Sequence, residues 1–186
     1  MREERLQVLQ AVRLKGRTTP PDVAAATGQA EPAVTALLGE LAQAGHVQEA
    51  KGRYRLTPEG KEALGAALAE ERAGIDTAAL EALYERFDAF NSEFKELASA
   101  WQQRDGQPND HGDAAYDQAI LDRVADLHGR FLGLVQEMGA VAPRLAAYPA
   151  RFTAALERIQ GGDHAFLLRP IIDSYHTVWF ELHEDL

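Results

Sequence analysis

Two groups of basic residues have the side chains needed to bind phosphate groups. Arginine and lysine donate hydrogen bonds to phosphate oxygens and neutralise their charge, which makes them the main contacts to a nucleic-acid backbone. Residues 18–50, which separate the two groups, contain neither Lys nor Arg. We therefore expect the flanks of this segment, and not its centre, to bind phosphates. The candidates are Arg13, Lys15 and Arg17 in the first group, and Lys51, Arg53 and Arg55 in the second.

Histidine and carboxylate side chains near the C-terminal end have the chemistry of metal ligands. Asp173 and His176 are three residues apart and His183 follows seven residues later, so a helix would present all three on one face. His128 is the candidate for a further ligand. A surface or helix-capping role accounts for the same histidines. We predict no metal site and no cofactor, and the absence of cysteine excludes thiolate ligands and disulfides.

Large aromatic residues recur in the second half of the chain at helical spacing. They are compatible with two structures: the lining of a small-molecule cavity, or a filled core or dimer seam. The sequence does not separate a hollow bundle from a packed one. The candidate pocket residues are Phe87, Phe90, Phe94, Trp101, Phe131, Tyr175 and Trp179, with Phe152 at the same spacing.

The composition is that of a globular protein whose charge is unevenly placed. The 186 residues are 46% hydrophobic and 26% charged, with a net charge of −10. Residues 1–72 carry 10 basic and 10 acidic side chains, which leaves 9 and 19 for residues 73–186. A nucleic-acid partner must therefore meet the first part. No Gly-rich phosphate loop, nucleophile elbow or HExxH motif occurs, and we predict that the protein is not an enzyme.

Local signals predict the elements that position the first set of candidates. A helix over 2–15 stops at Gly16, a short helix capped by Thr19 ends at Gly28, and a third helix runs from about 31 to 44. On the outward face of this third helix only Thr35 and Gln43 have side chains suited to reading base edges. "HVQEAKGRYRLT" then predicts a short β-hairpin, and "TPEG" begins a further helix.

The segment "GHVQEAKGRYRLTPEGKEAL" resembles the wing and following helix of MarR-type and PadR-type bacterial regulators, and "YRLTPEG" is its most specific part. The resemblance covers about residues 4–68. It implies that residues 1–72 form a winged helix-turn-helix domain whose third helix enters the major groove of DNA. The fold class that follows is mainly α, with a small hairpin as the wing.

The second part of the chain, residues 76–186, is predicted to be an acidic antiparallel bundle of about four helices. Apolar residues at three- and four-residue spacing mark long helices on both sides of the polar loop "RDGQPNDHGDAA". A third helix follows "GAVAP", and a fourth spans "HAFLLRPIIDSYHTVWFELHEDL" with a kink at Pro170. Because the pattern has no cap at Leu186, we expect the native chain to continue beyond it.

The end "RIQGGDHAFLLRPIIDSYHTVWFELHEDL" resembles the closing helices of the metal-binding effector domain of GntR-type regulators. That resemblance implies an Asp and three His as ligands, with Asp122 or Asp126 supplying the aspartate. The close Asp-to-His spacing of the family on one helix is not matched here. The segment "DSYHTVWFELHEDL" is similar to segments that accompany phosphoenolpyruvate-utilising enzymes in actinobacteria.

Two functions from different classes are compatible with these patterns. The first is a cytoplasmic DNA-binding transcriptional regulator, whose bundle forms a homodimer or senses a small-molecule effector. The second is a winged-helix module that binds protein and not DNA, for example as the regulatory subunit of a metabolic, phosphoenolpyruvate-utilising enzyme. No membrane contact is predicted, since no apolar run approaches the roughly 18 residues that a membrane helix needs. The basic flanks favour the first function, and the absence of Lys and Arg from the third helix favours the second.

Overall fold

The protein was analysed as a computed structural model, which describes residues 2–186. These residues form nine α-helices and two small antiparallel β-hairpins, so the prediction of a mainly helical fold with a small hairpin is confirmed. The N-terminal elements are α1 (Arg2–Lys15), α2 (Pro20–Thr27), α3 (Glu31–Gln43), β1 (Val47–Ala50), β2 (Arg53–Leu56) and α4 (Pro58–Gly74).

The boundaries of these first elements follow from their capping residues. The Thr19 hydroxyl accepts from the backbone of Asp22, whose carboxylate accepts in return from the backbone of Thr19, which is a complete capping box. The Thr57 hydroxyl caps α4 by accepting a hydrogen bond from the amide of Gly60. Gly28 ends α2 in the left-handed conformation that glycine adopts without strain. The predicted starts and ends of α1 and α2, and the hairpin, are confirmed.

An apolar cluster, here called the N-terminal cluster, holds α1–α4 and the hairpin together. One face of each helix contributes aliphatic side chains, because apolar residues at three- and four-residue spacing share a face. Burial of these side chains is the main favourable contribution to the stability of this part. The cluster consists of Leu6, Val8, Leu9, Ala11, Val12, Val23, Val34, Leu38, Leu41, Val47 and Leu64.

The C-terminal elements pack around a second, larger apolar cluster, here called the C-terminal cluster, whose large aromatic members include Phe87, Phe94, Phe131, Tyr175 and Trp179. α5 contacts α6, α6 contacts α7, and α7 contacts α9. The elements of this C-terminal part are α5 (Thr77–Gln102), β3 (Gln103–Arg104), β4 (Gln107–Pro108), α6 (Ala114–Val141), a 3-10 turn (Pro143–Leu145), α7 (Tyr148–Gln160), α8 (Ala165–Leu168) and α9 (Tyr175–Asp185). The predicted polar loop after α5 contains the two-residue strands β3 and β4 as a small hairpin.

The prediction of one kinked helix at the C-terminal end is wrong. Helix α8 ends after one turn, because Arg169 precedes proline and takes the extended conformation that this position favours. Ile171 follows with a φ of 74° and a side chain that is 99% exposed. The chain then starts a new helix, α9, in which Ser174 accepts a hydrogen bond from the amide of Thr177.

The indole of Trp179 lies at the centre of the C-terminal cluster. Its ring centroid is 4.3 Å from that of Phe131, 4.5 Å from that of Phe94 and 5.4 Å from that of Phe87. The indole nitrogen donates to the side-chain oxygen of buried Asn91 at 3.0 Å, so the one polar atom of the ring is satisfied. Within residues 2–186, no helix combines the length and hydrophobicity required to cross a bilayer.

Candidate nucleic-acid interface

Backbone pairing brings three of the predicted phosphate-binding arginines to one side of the hairpin. The amide and carbonyl of Thr18 bond to the carbonyl and amide of Tyr54 at 3.0 and 2.8 Å, so the segment after α1 pairs with β2. Tyr54 turns towards the N-terminal cluster. Since side chains alternate along a strand, Arg53 and Arg55 turn away from the cluster, and Arg17, next to Thr18, shares their side.

The hairpin turn adds a lysine to this surface, which we call the basic face (Arg17, Lys51, Arg53 and Arg55). Lys51 and Gly52 form a two-residue turn with φ values of 55° and 74°, the type that matches the twist of the two strands. The nearby carboxylate of Glu49 accepts from the amide of Gly52 at 2.7 Å. The lysine therefore stands at the tip of the hairpin.

The cations of the basic face are free to bind an anion. The guanidinium of Arg55 donates to the side-chain oxygen of Gln48 at 2.7 and 3.0 Å, which orients it without neutralising it. Arg17, Lys51 and Arg53 make no side-chain hydrogen bond or ion pair with any other residue of the described chain. All four are exposed. Such groups bind phosphate oxygens at little desolvation cost.

Helix α3 presents a different surface beside the basic face. Thr35 and Gln43 are exposed, as predicted for base-reading side chains. The same face also exposes Glu31 and Glu40, and the helix contains no Lys or Arg. Ala30 precedes α3 without a side-chain cap. The centre of this interface is therefore neutral to acidic, and positive charge is confined to the hairpin side.

The other two predicted phosphate contacts, Arg13 and Lys15, lie against helix α9. The Lys15 ammonium is 2.8 Å from a carboxylate oxygen of Asp173 and 3.2 Å from one of Glu181, and its side chain is only 12% exposed. Arg13 donates to the carbonyl of Glu184 at 2.7 Å. The charge of Lys15 is neutralised by Asp173 and Glu181, whereas Arg13 is held at α9 by a backbone carbonyl and has no carboxylate partner.

These contacts belong to a network of charged side chains between the two apolar clusters, which we call the junction. Its first half surrounds Arg151, which donates to Glu181 at 2.5 Å and to Asp173 at 3.3 Å. Burial alone would raise the pKa of Asp173, but the neighbouring cations Arg151 and Lys15 hold that pKa below its ordinary value. The two carboxylates of Glu181 and Asp173 thus keep the guanidinium of Arg151 charged in a buried position.

The second half of the junction surrounds Arg144, whose side chain is 8% exposed. Its guanidinium donates to Glu71 on α4 at 2.5 Å, and to a carboxylate oxygen and the carbonyl of Asp185 at 2.9 and 2.5 Å. Asp185 also accepts from Gln10 at 2.7 Å and from the Tyr148 hydroxyl at 3.0 Å. Burial raises the pKa of Glu71 in spite of the attraction of Arg144. Sequence reasoning missed this network.

The four weak metal candidates are not brought together. His128 is buried with its Nδ1 3.2 Å from the Tyr175 hydroxyl, and desolvation lowers its pKa. Asp173 belongs to the junction, the His176 ring lies beside Phe94, and Nε2 of His183 is 3.4 Å from the Tyr84 hydroxyl. No group of three His, Asp or Glu side chains within residues 2–186 is arranged to hold a metal ion.

Most of the predicted pocket residues pack against one another. Phe87, Phe94, Phe131, Tyr175 and Trp179 share the C-terminal cluster, and Phe90 lies against its edge with its ring 5.4 Å from that of Phe131.

Trp101 lies apart from these rings, beside His111 and His164 at 4.6 and 5.6 Å. Phe94 and Trp179 also line a groove of about 410 Å³ between α5 and α9. A larger cleft of about 570 Å³ lies elsewhere, where α4, α5 and α9 meet.

No protein-family model, no curated protein and no solved structure matches the chain. The basic face and the junction therefore carry the functional inference.

Proposed function

We propose that the protein is a DNA-binding transcriptional regulator. In this proposal residues 1–72 form a winged helix-turn-helix domain, and residues 76–186 form an antiparallel four-helix bundle that dimerises it or responds to an effector. The observation that carries the proposal is the basic face: four exposed cations on one side of a hairpin, none of them neutralised by a carboxylate. The order of α1, α2, α3, hairpin and α4 supports it, since this order matches that of winged-helix domains.

The basic face would supply most of the affinity through phosphate contacts. Thr35 and Gln43 would meet base edges in the major groove, while Glu31 and Glu40 oppose close approach of the backbone. Binding of this kind depends on salt, because each neutralised phosphate releases condensed counterions. Four contacts give a slope of log affinity against log salt of about −3.6 for one domain, and about −7 for two domains on one duplex.

The bundle would set the distance between two such domains. A homodimer binds two half-sites about 34 Å apart, one turn of the double helix, when its recognition helices have the same separation. The junction ties α1 to α9 through Arg13 and Lys15, so a change in the bundle would be transmitted to the DNA-binding part. The proposed location is the cytoplasm, where the DNA is.

The test is the affinity for a random duplex, measured by fluorescence anisotropy between about 50 and about 200 mM salt. We expect Arg53→Gln with Arg55→Gln to weaken binding and to reduce the magnitude of the slope by about 1.8 per domain. The matched control is Arg86→Gln with Arg130→Gln, which removes two exposed arginines from α5 and α6. Absence of binding at low salt, or equal losses in both double variants, would refute the proposal.

A second function is favoured by the charge of α3. Its exposed face carries Glu31 and Glu40 and no cation, which suits a protein surface better than a phosphate backbone. In this alternative the chain is a protein-binding module or the regulatory subunit of a metabolic enzyme, such as one that uses phosphoenolpyruvate. A stable complex with a partner protein that is lost in Thr35→Arg, together with no duplex binding, would establish this alternative over the first.

A further inference from the structure

The cleft between α4, α5 and α9 has the size and the position of a small-molecule site. Its volume of about 570 Å³ lies inside the range of about 300 to 1,000 Å³ typical of ligand pockets, and such sites are frequent where two parts of a protein meet. Its apolar lining comes from Leu68, Ile75, Leu80 and Leu186. The cleft is distinct from the packed aromatic cluster, whose rings fill the interior of the C-terminal part.

Helix α5 brings two carboxylates to the rim of this cleft. Glu81 and Glu85 are four residues apart, so they lie on the same face of the helix and repel each other. Neither forms an ion pair or a side-chain hydrogen bond with another residue of the described chain. Tyr84 lies between them in sequence, lines the same cleft and is 41% exposed, although it is a large aromatic residue.

The cations of the cleft do not balance these carboxylates. Arg144 is already bound to Glu71 and Asp185 through three hydrogen bonds. Arg72, at the end of α4, is the remaining arginine of the lining. Two carboxylates without a partner therefore face one arginine, and the cleft has an excess of negative charge on an apolar floor.

We propose that this cleft binds an organic cation, an amine or quaternary ammonium compound with an apolar body. Its ammonium group lies against Glu81 and Glu85 and over the ring of Tyr84, which attracts cations through its π electrons. Its apolar body packs on Ile75 and Leu80. A cation at this place removes the repulsion between the two glutamates, which is the physical reason for preferring it to a neutral compound of the same shape.

Occupation of the cleft is coupled to the junction. Glu71 and Arg144 line the cleft and also join α4 to α9, so a ligand there contacts the residues that connect the two parts of the chain. The consequence for DNA affinity rests on the proposed function, whereas the binding site itself does not. A ligand changes duplex affinity only to the extent that it binds the two arrangements of the junction differently.

Calorimetric titration of the full chain with three probes tests the site without DNA. The probes are 2-phenylethylammonium, neutral 2-phenylethanol and anionic 3-phenylpropionate. We expect saturable binding of the ammonium compound, about tenfold tighter than the alcohol, and a loss of this preference in Glu81→Gln with Glu85→Gln. The control Asp88→Asn with Glu96→Gln removes two exposed charges from α5 outside the cleft and should bind like the wild type.

Each contrary result overturns the proposal. Binding of the anion or the alcohol as tightly as the ammonium compound would assign the site to Arg72 or to the apolar floor, and equal binding by the two double variants would place the cation elsewhere. A circular dichroism spectrum identical to that of the wild type establishes that the cleft variant is folded. Cation binding without duplex binding leaves the site standing and removes the proposed function; duplex binding without cation binding does the reverse.

Discussion

Replacement of Arg144 by methionine is expected to weaken the protein more than any loss of a surface ion pair. The guanidinium is 8% exposed and joins α4 to the last residues of α9 by three hydrogen bonds to Glu71 and Asp185. Methionine keeps most of the aliphatic volume and removes the charge. The buried carboxylates of Glu71 and Asp185 then lose their shared cation, and only Asp185 keeps other donors, from Gln10 and Tyr148.

The magnitude follows from the burial of the partners. Breaking a buried ion pair by removing one member costs about 3–5 kcal/mol, because the remaining charge stays desolvated and uncompensated. The side chains of Glu71 and Asp185 are largely buried. The Gln10 and Tyr148 bonds to Asp185 persist, so we expect Arg144→Met to lower the free energy of unfolding by about 3 kcal/mol, at the lower end of that range.

The pH dependence of this loss has a definite sign. Burial already raises the pKa of Glu71, and Arg144 opposes that rise, so its removal raises the pKa further. A carboxyl whose pKa is higher in the folded than in the unfolded state takes up a proton on folding. Its contribution to stability is therefore present at low pH and is lost as the pH rises through the folded-state pKa. The deficit of the variant should shrink as the pH falls towards the ordinary pKa range of a carboxyl group.

Urea unfolding followed by circular dichroism measures both effects. The matched control is Arg86→Met, since Arg86 makes a similar two-bond contact to Glu137 on the exposed surface. This control should unfold at nearly the same urea concentration as the wild type, because exposed ion pairs contribute little. A loss below about 1 kcal/mol for Arg144→Met, or a deficit that grows as the pH falls, would refute this account of the junction.

Three further predictions concern buried positions, and each is measured by urea unfolding. A Cβ added at Gly60 would lie 1.8 Å from the carbonyl oxygen of His46, so Gly60→Ala should destabilise the protein by about 3 kcal/mol. A Cβ added at Gly65 meets nothing within 4 Å, so Gly65→Ala should stabilise the protein by up to about 1 kcal/mol. Equal effects of the two substitutions would contradict the steric argument. Trp179→Ala should cost about 3–5 kcal/mol, and a smaller loss would mean that the aromatic cluster is loosely packed. Burial lowers the pKa of His128, so its neutral form stabilises the fold, and this contribution is lost as the pH falls below about 6.5. His128→Gln should make the free energy of unfolding less dependent on pH in this range. An unchanged pH profile would contradict this prediction.

Local chemistry made the N-terminal elements predictable. A capping threonine at 19 or 57, a glycine after α2 and an alternating hairpin sequence act over a few residues, so a window of sequence contains both partners of each interaction. The placement of Arg53 and Arg55 on one side of β2 depends on an equally local rule, the alternation of side chains along a strand. The end of α8 could be predicted only in part. Proline indicates that a helix is interrupted, but whether it kinks or ends depends on the conformation of the neighbouring residues.

The contacts that Arg13 and Lys15 make with distant residues of the chain could not be predicted from the sequence. The partners of Lys15 are 158 and 166 positions away, and the residue on α9 that Arg13 contacts is 171 positions away. No pattern of a single chain records contacts at that separation. The same holds for the aromatic residues. Helical spacing predicts that their side chains share a face, but it does not predict whether the opposing helices leave a cavity between them.

The acidic C-terminal part already binds Lys15 of its own chain, so this lysine is not free to bind a phosphate group. Release of Lys15 towards DNA would leave Glu181, whose side chain is 5% exposed, with one cation fewer at a buried site. Glu181 would keep its ion pair with Arg151, but a cation lost at a buried site still costs more than an exposed contact of a lysine with an anion, which contributes at most about 1 kcal/mol. Under the proposed function, Lys15 therefore stays bound to Asp173 and Glu181 when the protein is on DNA, and the salt dependence of binding should not include a contact from Lys15.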